Sequence, residues 1–192
     1  HLRTAHVDLA YGIKPLTIGR EKLDTHAGMH LYGQRLEELR ARFLALLQAA
    51  DADLGARLQI YLCRDQQAQS NLSPVVTGIG GGAAVGTKLM GVDAVYCMWQ
   101  DPRLLPDDEA LHRNLVHNVA HLLLANLTPA QRLGNPGNGW VDEGLAHWFE
   151  DQVTGKCTNL GTSQPKASKT CMCSGADGIH SSPRNTCVIC IR

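Results

Sequence analysis

Between Glu21 and Ala50 the apolar side chains Tyr32, Leu36, Leu39, Phe43, Leu46 and Leu47 recur at three- and four-residue spacing, with Arg and Glu between them. That period lays one apolar stripe along a helix and predicts an amphipathic helix packed on a core, ended by "ADADLGA". Residues 57–64, "RLQIYLCR", alternate apolar and polar positions instead, and Ile60 and Tyr61 favour a strand. A looser alternation in "AHVDLA", residues 5–10, predicts a first strand leading into the Gly- and Pro-punctuated loop "YGIKPLTIG". "VDAVYCMW", residues 92–99, predicts a further strand, whereas the polar stretch around Asn71 and Pro74 has no period and predicts no element. Residues 106–127, "PDDEALHRNLVHNVAHLLLANL", predict a helix that is apolar on most faces and therefore buried. Pro106 suits its first turn, and Asp107, Asp108 and Glu109 complement the positive end of the helix dipole. The loop "TPAQRLGNPGNG" then leads to a second predicted helix over residues 140–153. This order predicts an α+β fold with a small mixed or antiparallel sheet packed against the helix over 106–127 and the helix that follows it.

The pattern stops at Gly155. Residues 1–155 read as one domain, and residues 156–192 as a tail rich in Ser, Thr, Gly, Pro and Cys, either stapled or disordered. Five of the seven cysteines (Cys157, Cys171, Cys173, Cys187 and Cys190) fall in residues 157–192, the last 36 of the chain. Such crowding suits disulfides in an oxidising, extracytoplasmic compartment; a second zinc site using His180 is the alternative, as is a tail that is no structural element. Eighteen basic residues balance eighteen acidic ones, so no net field draws the chain to nucleic acid or anionic lipid. No apolar run approaches the roughly 20 residues needed to span a bilayer.

The chemistry concentrates in "HRNLVHNVAHLLLANL", residues 112–127. Residues four apart share a helix face, so His117 and His121 can aim their imidazoles at one point, a geometry that suits a metal ion. Spacing alone does not establish a site, because His26 and His30 in "HAGMH" have the same separation. A pair of buried histidines bonded to backbone or carboxylate is the plain alternative. What distinguishes the second pair is Glu143, 22 residues after His121 and on the next predicted helix. Two histidines and a glutamate are a three-ligand set of the kind that leaves a coordination position open on a catalytic zinc. His147 shares the face of Glu143 and is either a partner behind a ligand or a fourth ligand, whereas Asp142 points about 100° away. The glycine-rich "TGIGGGAAVG", residues 77–86, lacks the Lys-Ser or Lys-Thr of a phosphate-cradling loop and reads as a flexible turn beside a cleft.

"HNVAH" followed by "WVDEGLAHWFE" resembles the gluzincin class of zinc metallopeptidases, whose pattern is HExxH on one helix and a third glutamate in a Trp-x-x-Glu-Gly-x-Ala context on the next. The resemblance covers roughly residues 110–152. It implies a zincin-like fold, a Zn2+ ion on His117, His121 and Glu143, and Trp140, Gly144 and Ala146 as packing and turn positions around the third ligand. It implies a peptide or protein as substrate or ligand. The departure is Asn118, which stands where the family carries the glutamate that acts as general base. An amide cannot accept that proton at neutral pH, so the resemblance implies an impaired or inactive peptidase, or a module that binds peptide or glycan without cutting it.

Overall fold

The computed structural model describes residues 1–55, 57–80, 85–91, 93–128 and 139–156. The cysteine-rich tail, most of the loop before residue 139 and the centre of the glycine-rich segment lie outside the described residues. The rest is a mixed α+β fold with four helices and a mixed sheet.

Five strands form the main sheet: β1 (Leu2–Arg3), β2 (Val7–Tyr11), β5 (Leu58–Cys63), β6 (Gly86–Leu89) and β7 (Val95–Trp99). A separate hairpin pairs β3 (Leu16–Ile18) with β4 (Glu21–Leu23). The main sheet runs in the order β1-β2-β5-β7-β6. Its three central strands are parallel, with Leu9 opposite Ile60 and Ile60 opposite Tyr96, and both edge strands are antiparallel. Parallel neighbours need long crossovers, and the helices supply them.

Helix α1 (Thr25–Leu47) is capped by Asp24, whose carboxylate accepts the Ala27 N–H at 2.8 Å. It buries Tyr32, Leu36, Leu39 and Phe43, the stripe the periodicity predicted. Leu46 and Leu47, its last members, are only partly buried because the helix ends there. These side chains join Val7, Leu9, Leu58, Ile60, Leu62, Tyr96 and Met98 from alternate positions of the strands in one core. The remaining alternate positions face the other way, and on that side Cys63 and Cys97 are free, buried thiols with Sγ atoms 3.9 Å apart.

Helix α2 (Gln66–Thr77) occupies the stretch for which no element was expected. It begins at Asp65, which caps Ala68 N–H at 2.8 Å, and contains Pro74. Its buried residues Gln69, Ser73 and Thr77 lie at i, i+4 and i+8, so the stripe is helical in period but polar in chemistry. Hydroxyl pairing makes the burial of Ser73 and Thr77 tolerable, Ser73 bonding the Ile79 carbonyl at 2.6 Å and Thr77 the Ser73 carbonyl at 2.8 Å, whereas the buried Gln69 amide bonds no partner among the described residues. The exposed side carries Val75, inverting the pattern that hydrophobic periodicity looks for.

Helix α3 (Asp108–Leu127) is buried on most faces, as its composition predicted. Its cap is Asp107, accepting from Ala110 N–H at 2.8 Å, so Pro106 lies before the helix and outside its first turn. Asp108 is clamped by both terminal nitrogens of Arg35, at 2.7 and 2.9 Å, and by the Tyr32 hydroxyl at 2.8 Å. This ties the start of α3 to the middle of α1. Helix α4 (Gly139–Thr154) packs along α3 and stops at Gly155, whose φ of 69° is a left-handed conformation that a side chain would strain.

Candidate metal centre

Helix α3 is held at its start by the Arg35 clamp and in its middle by Tyr96, whose hydroxyl donates to Asn114 Oδ1 at 2.8 Å. One turn later the helix presents His117 and His121, 8% and 0% exposed. Their rings cross at 78° with centroids 4.8 Å apart, and their Nε2 atoms lie 3.1 Å from each other. Helix α4 brings in Glu143, whose Oε2 is 3.5 Å from His117 Nε2 and 3.6 Å from His121 Nε2. The three residues predicted as ligands therefore meet. A tetrahedral zinc with bonds of about 2.0–2.1 Å spaces its ligand atoms about 3.3 Å apart, and 3.1, 3.5 and 3.6 Å are close to the edges of such a set.

The far side of each imidazole faces a carboxylate. His121 Nδ1 lies 2.7 Å from Asp142 Oδ1, an ion-pair contact whose ring N–H is not aligned on the oxygen. His117 Nδ1 lies 3.4 Å from Glu150 Oε2. A carboxylate beside Nδ1 draws the ring proton to that nitrogen and leaves the Nε2 lone pair bare, the arrangement metal-ligating histidines adopt. The 3.1 Å between the two Nε2 atoms is also hydrogen-bonding distance for one protonated and one bare ring nitrogen. Burial lowers the His121 pKa, which keeps that ring neutral; Asp142 opposes the shift and Lys88 adds to it. Lys88, on β6, is itself lowered by burial, while Glu143 and Asp142 pull the other way.

The turn of 100° between neighbours on a helix explains the division of labour on α4: Glu143 reaches the front of the histidines and Asp142 the back of one. Asp142 thus stands against the back of His121, where the expectation was that it would merely point away. His147 stacks near His117 with ring centroids 4.8 Å apart, and its Nδ1 is 3.8 Å from Glu150 Oε2. His117, His147 and Glu150 form a second group with metal-ligand geometry, sharing His117 with the first. Glu150, 1% exposed, was not singled out in the sequence; its position seven residues after Glu143, on the same helix face, was the available signal.

Asn118 is 8% exposed, and its Nδ2 donates to the Asn114 carbonyl at 2.8 Å. Trp140, expected to pack around the third ligand, is instead 55% exposed at the start of α4. Ala146 is fully buried, as a packing position should be, whereas Gly144 is only half-buried. Trp148 packs part-buried against the core. His112 lies off the cluster, in the electrostatic surroundings of Arg35 and Asp108. His26 and His30 are exposed and belong to no three-ligand group among the described residues.

Comparison with known proteins leaves the chain on its own: no family model, no curated protein and no solved structure matches it.

Proposed function

We propose that residues 1–155 form a zinc metallopeptidase-like domain of gluzincin type, zincin-like in the arrangement of sheet and helices, whose hydrolysis of peptide bonds is impaired or absent because Asn118 replaces the general base. One observation carries the reading: two Nε2 atoms and a carboxylate oxygen converge from adjoining helices, with a second carboxylate behind each histidine. His117, His121 and Glu143 would hold the zinc, which would supply a Lewis acid to polarise a carbonyl and acidify a water. Three protein ligands leave a coordination position for substrate. Asp142 and Glu150 hold the histidine rings in the metal-binding tautomer. Asn118 orients hydrogen-bonding groups through its amide but takes up no proton, a loss worth about 10²- to 10⁴-fold in rate.

The second reading is a module that binds peptide or glycan without turnover. It is favoured by the Asn118 amide, which is already engaged with the preceding turn of its own helix. An extracytoplasmic setting fits the five cysteines of the last 36 residues.

Metal content of the purified wild type and of His117→Ala, by mass spectrometry, tests the centre. Near-stoichiometric zinc that disappears in the variant supports it, and zinc in neither overturns it. Asn118→Glu tests the peptidase reading: zinc-loaded variant protein should gain about 10²- to 10⁴-fold on a peptide library. A zinc-loaded variant with no gain moves the case to the binding module.

A further inference from the structure

The two carboxylates behind the histidines of α3 stand at different distances from them. Asp142 Oδ1 is 2.7 Å from His121 Nδ1, a carboxylate closed directly on a ring nitrogen. Glu150 Oε2 is 3.4 Å from His117 Nδ1, well beyond the about 2.7–2.9 Å of a charge-assisted hydrogen bond. Neither Nδ1 forms an aligned hydrogen bond, so distance is what separates the two cases. Behind His121 there is no room for an ion; behind His117 the gap is the width that two ligands of one ion keep.

A third side chain joins the wider pair. His147 Nδ1 lies 3.8 Å from the same Glu150 oxygen, and its ring centroid is 4.8 Å from that of His117. His117, His147 and Glu150 thus offer three ligand atoms within 4.8 Å of one another. A tetrahedral ion with bonds of about 2.0–2.1 Å spaces its ligand atoms about 3.3 Å apart. The 3.4 Å edge fits that spacing, and the His147 side chain, 24% exposed, has room to turn the short remaining distance. Glu150 is 1% exposed, and a carboxylate so deeply buried calls for a cation. His117 and Glu150 also line a cavity of about 300 Å³, which gives an ion a way in and its remaining ligands, waters, a place.

We propose that His117 is shared by two divalent cations, one on Nε2 with His121 and Glu143, the other on Nδ1 with His147 and Glu150. Two imidazoles and one carboxylate suit zinc and its transition-metal neighbours better than magnesium or calcium. The second ion takes the place of the His117 ring proton, which leaves to solvent, so the imidazole bridges with one nitrogen on each ion. Until that ion binds, Glu150 is the partner behind His117. The second ion goes beyond the metallopeptidase-like centre and does not depend on it, because His147 and Glu150 belong to the second group alone.

The test is the zinc content of the full chain after equilibrium dialysis at the lowest free zinc that saturates the wild type. Mass spectrometry reads it as ions lost relative to wild type, a difference that sets aside zinc held elsewhere, such as by the cysteines of residues 157–192. His147→Gln and Glu150→Gln should each hold one ion fewer, and so should His121→Ala. The double variant His121→Ala/His147→Gln should hold two fewer, with circular dichroism showing that each chain is folded. Should Glu150→Gln fail to fold, the variant of the part-exposed His147 carries the test. Unchanged zinc in folded His147→Gln overturns the second ion. So does a double variant that has lost only one ion, because one ion is then held by all these side chains together. One ion lost from His147→Gln with none lost from His121→Ala keeps the second ion and overturns the metallopeptidase-like centre. The reverse result keeps that centre and overturns the second ion.

Discussion

The chain carries two histidine pairs at the same helical spacing, and they come to nearly the same local geometry. His26 and His30 on α1 have ring centroids 4.6 Å apart; His117 and His121 on α3 have theirs 4.8 Å apart. Their surroundings differ completely. The α1 pair is on the exposed face, opposite the stripe that Tyr32, Leu36 and Leu39 bury. The α3 pair is buried, with the exposed Glu143 in front and Asp142 and Glu150 behind. A shared spacing fixes only how two rings sit relative to each other. Whether they can hold an ion depends on what a second helix brings and on the exclusion of water, which strengthens every charge interaction inside.

The comparison can be broken most forcefully by removing one ring from each pair. His121→Ala should weaken zinc binding about 10²- to 10³-fold, given a total binding energy of about 10–16 kcal/mol for a full ligand set. His26→Ala should leave the affinity unchanged, and equilibrium dialysis of the two variants decides the matter. Next in size is the clamp that holds α3 against α1. Asp108→Asn should cost about 2–3 kcal/mol of unfolding free energy in urea at pH 7, because a bidentate charged pair is lost. Burial pushes the Asp108 pKa up, but Arg35 and Tyr32 outweigh it and hold the group below the usual carboxylate value. A lowered folded pKa means stability that is present above about pH 4 and lost as pH falls through the folded value. The gap between wild type and Asp108→Asn should therefore narrow when the urea titration is repeated near pH 3.

Smaller again is the carboxylate behind a ligand. Asp142→Asn should reduce zinc affinity about 10- to 100-fold without removing it, measured by competition with a chromogenic chelator. An unchanged affinity would show that Asp142 packs without tuning. The smallest effect belongs to the exposed pair: His26→Ala and His30→Ala together should shift stability by no more than about 0.5 kcal/mol in thermal unfolding.

Much of the fold was legible wherever the buried stripe is apolar. Helices α1 and α3 and strands β2, β5 and β7 announce themselves through leucine, isoleucine and valine at period 3.6 or 2. Helix α2 stayed hidden because its buried stripe is Gln69, Ser73 and Thr77, and a periodicity search weighs only apolar positions. Of the candidate centre, the grouping of His117, His121 and Glu143 was legible from spacing and motif. Glu150 and the part played by Asp142 were not, because an acidic residue in a helix is usually a solvated one. Trp140 misled for the opposite reason: a large aromatic suggests burial, yet it is 55% exposed at the start of α4.

By itself the sequence determined helices α1, α3 and α4 and strands β2, β5 and β7, that α3 is buried, and that His117 and His121 share one of its faces. These follow from local rules: period, capping and the chemistry of single side chains. The tertiary structure alone decided that the Nε2 atoms of His117 and His121 face Glu143 and that Asp142 and Glu150 stand behind the rings. These depend on how α4 is rotated against α3. Helix rotation is set by the packing of Leu145, Ala146 and Phe149 in the common core, a property of the whole assembly rather than of any stretch of chain.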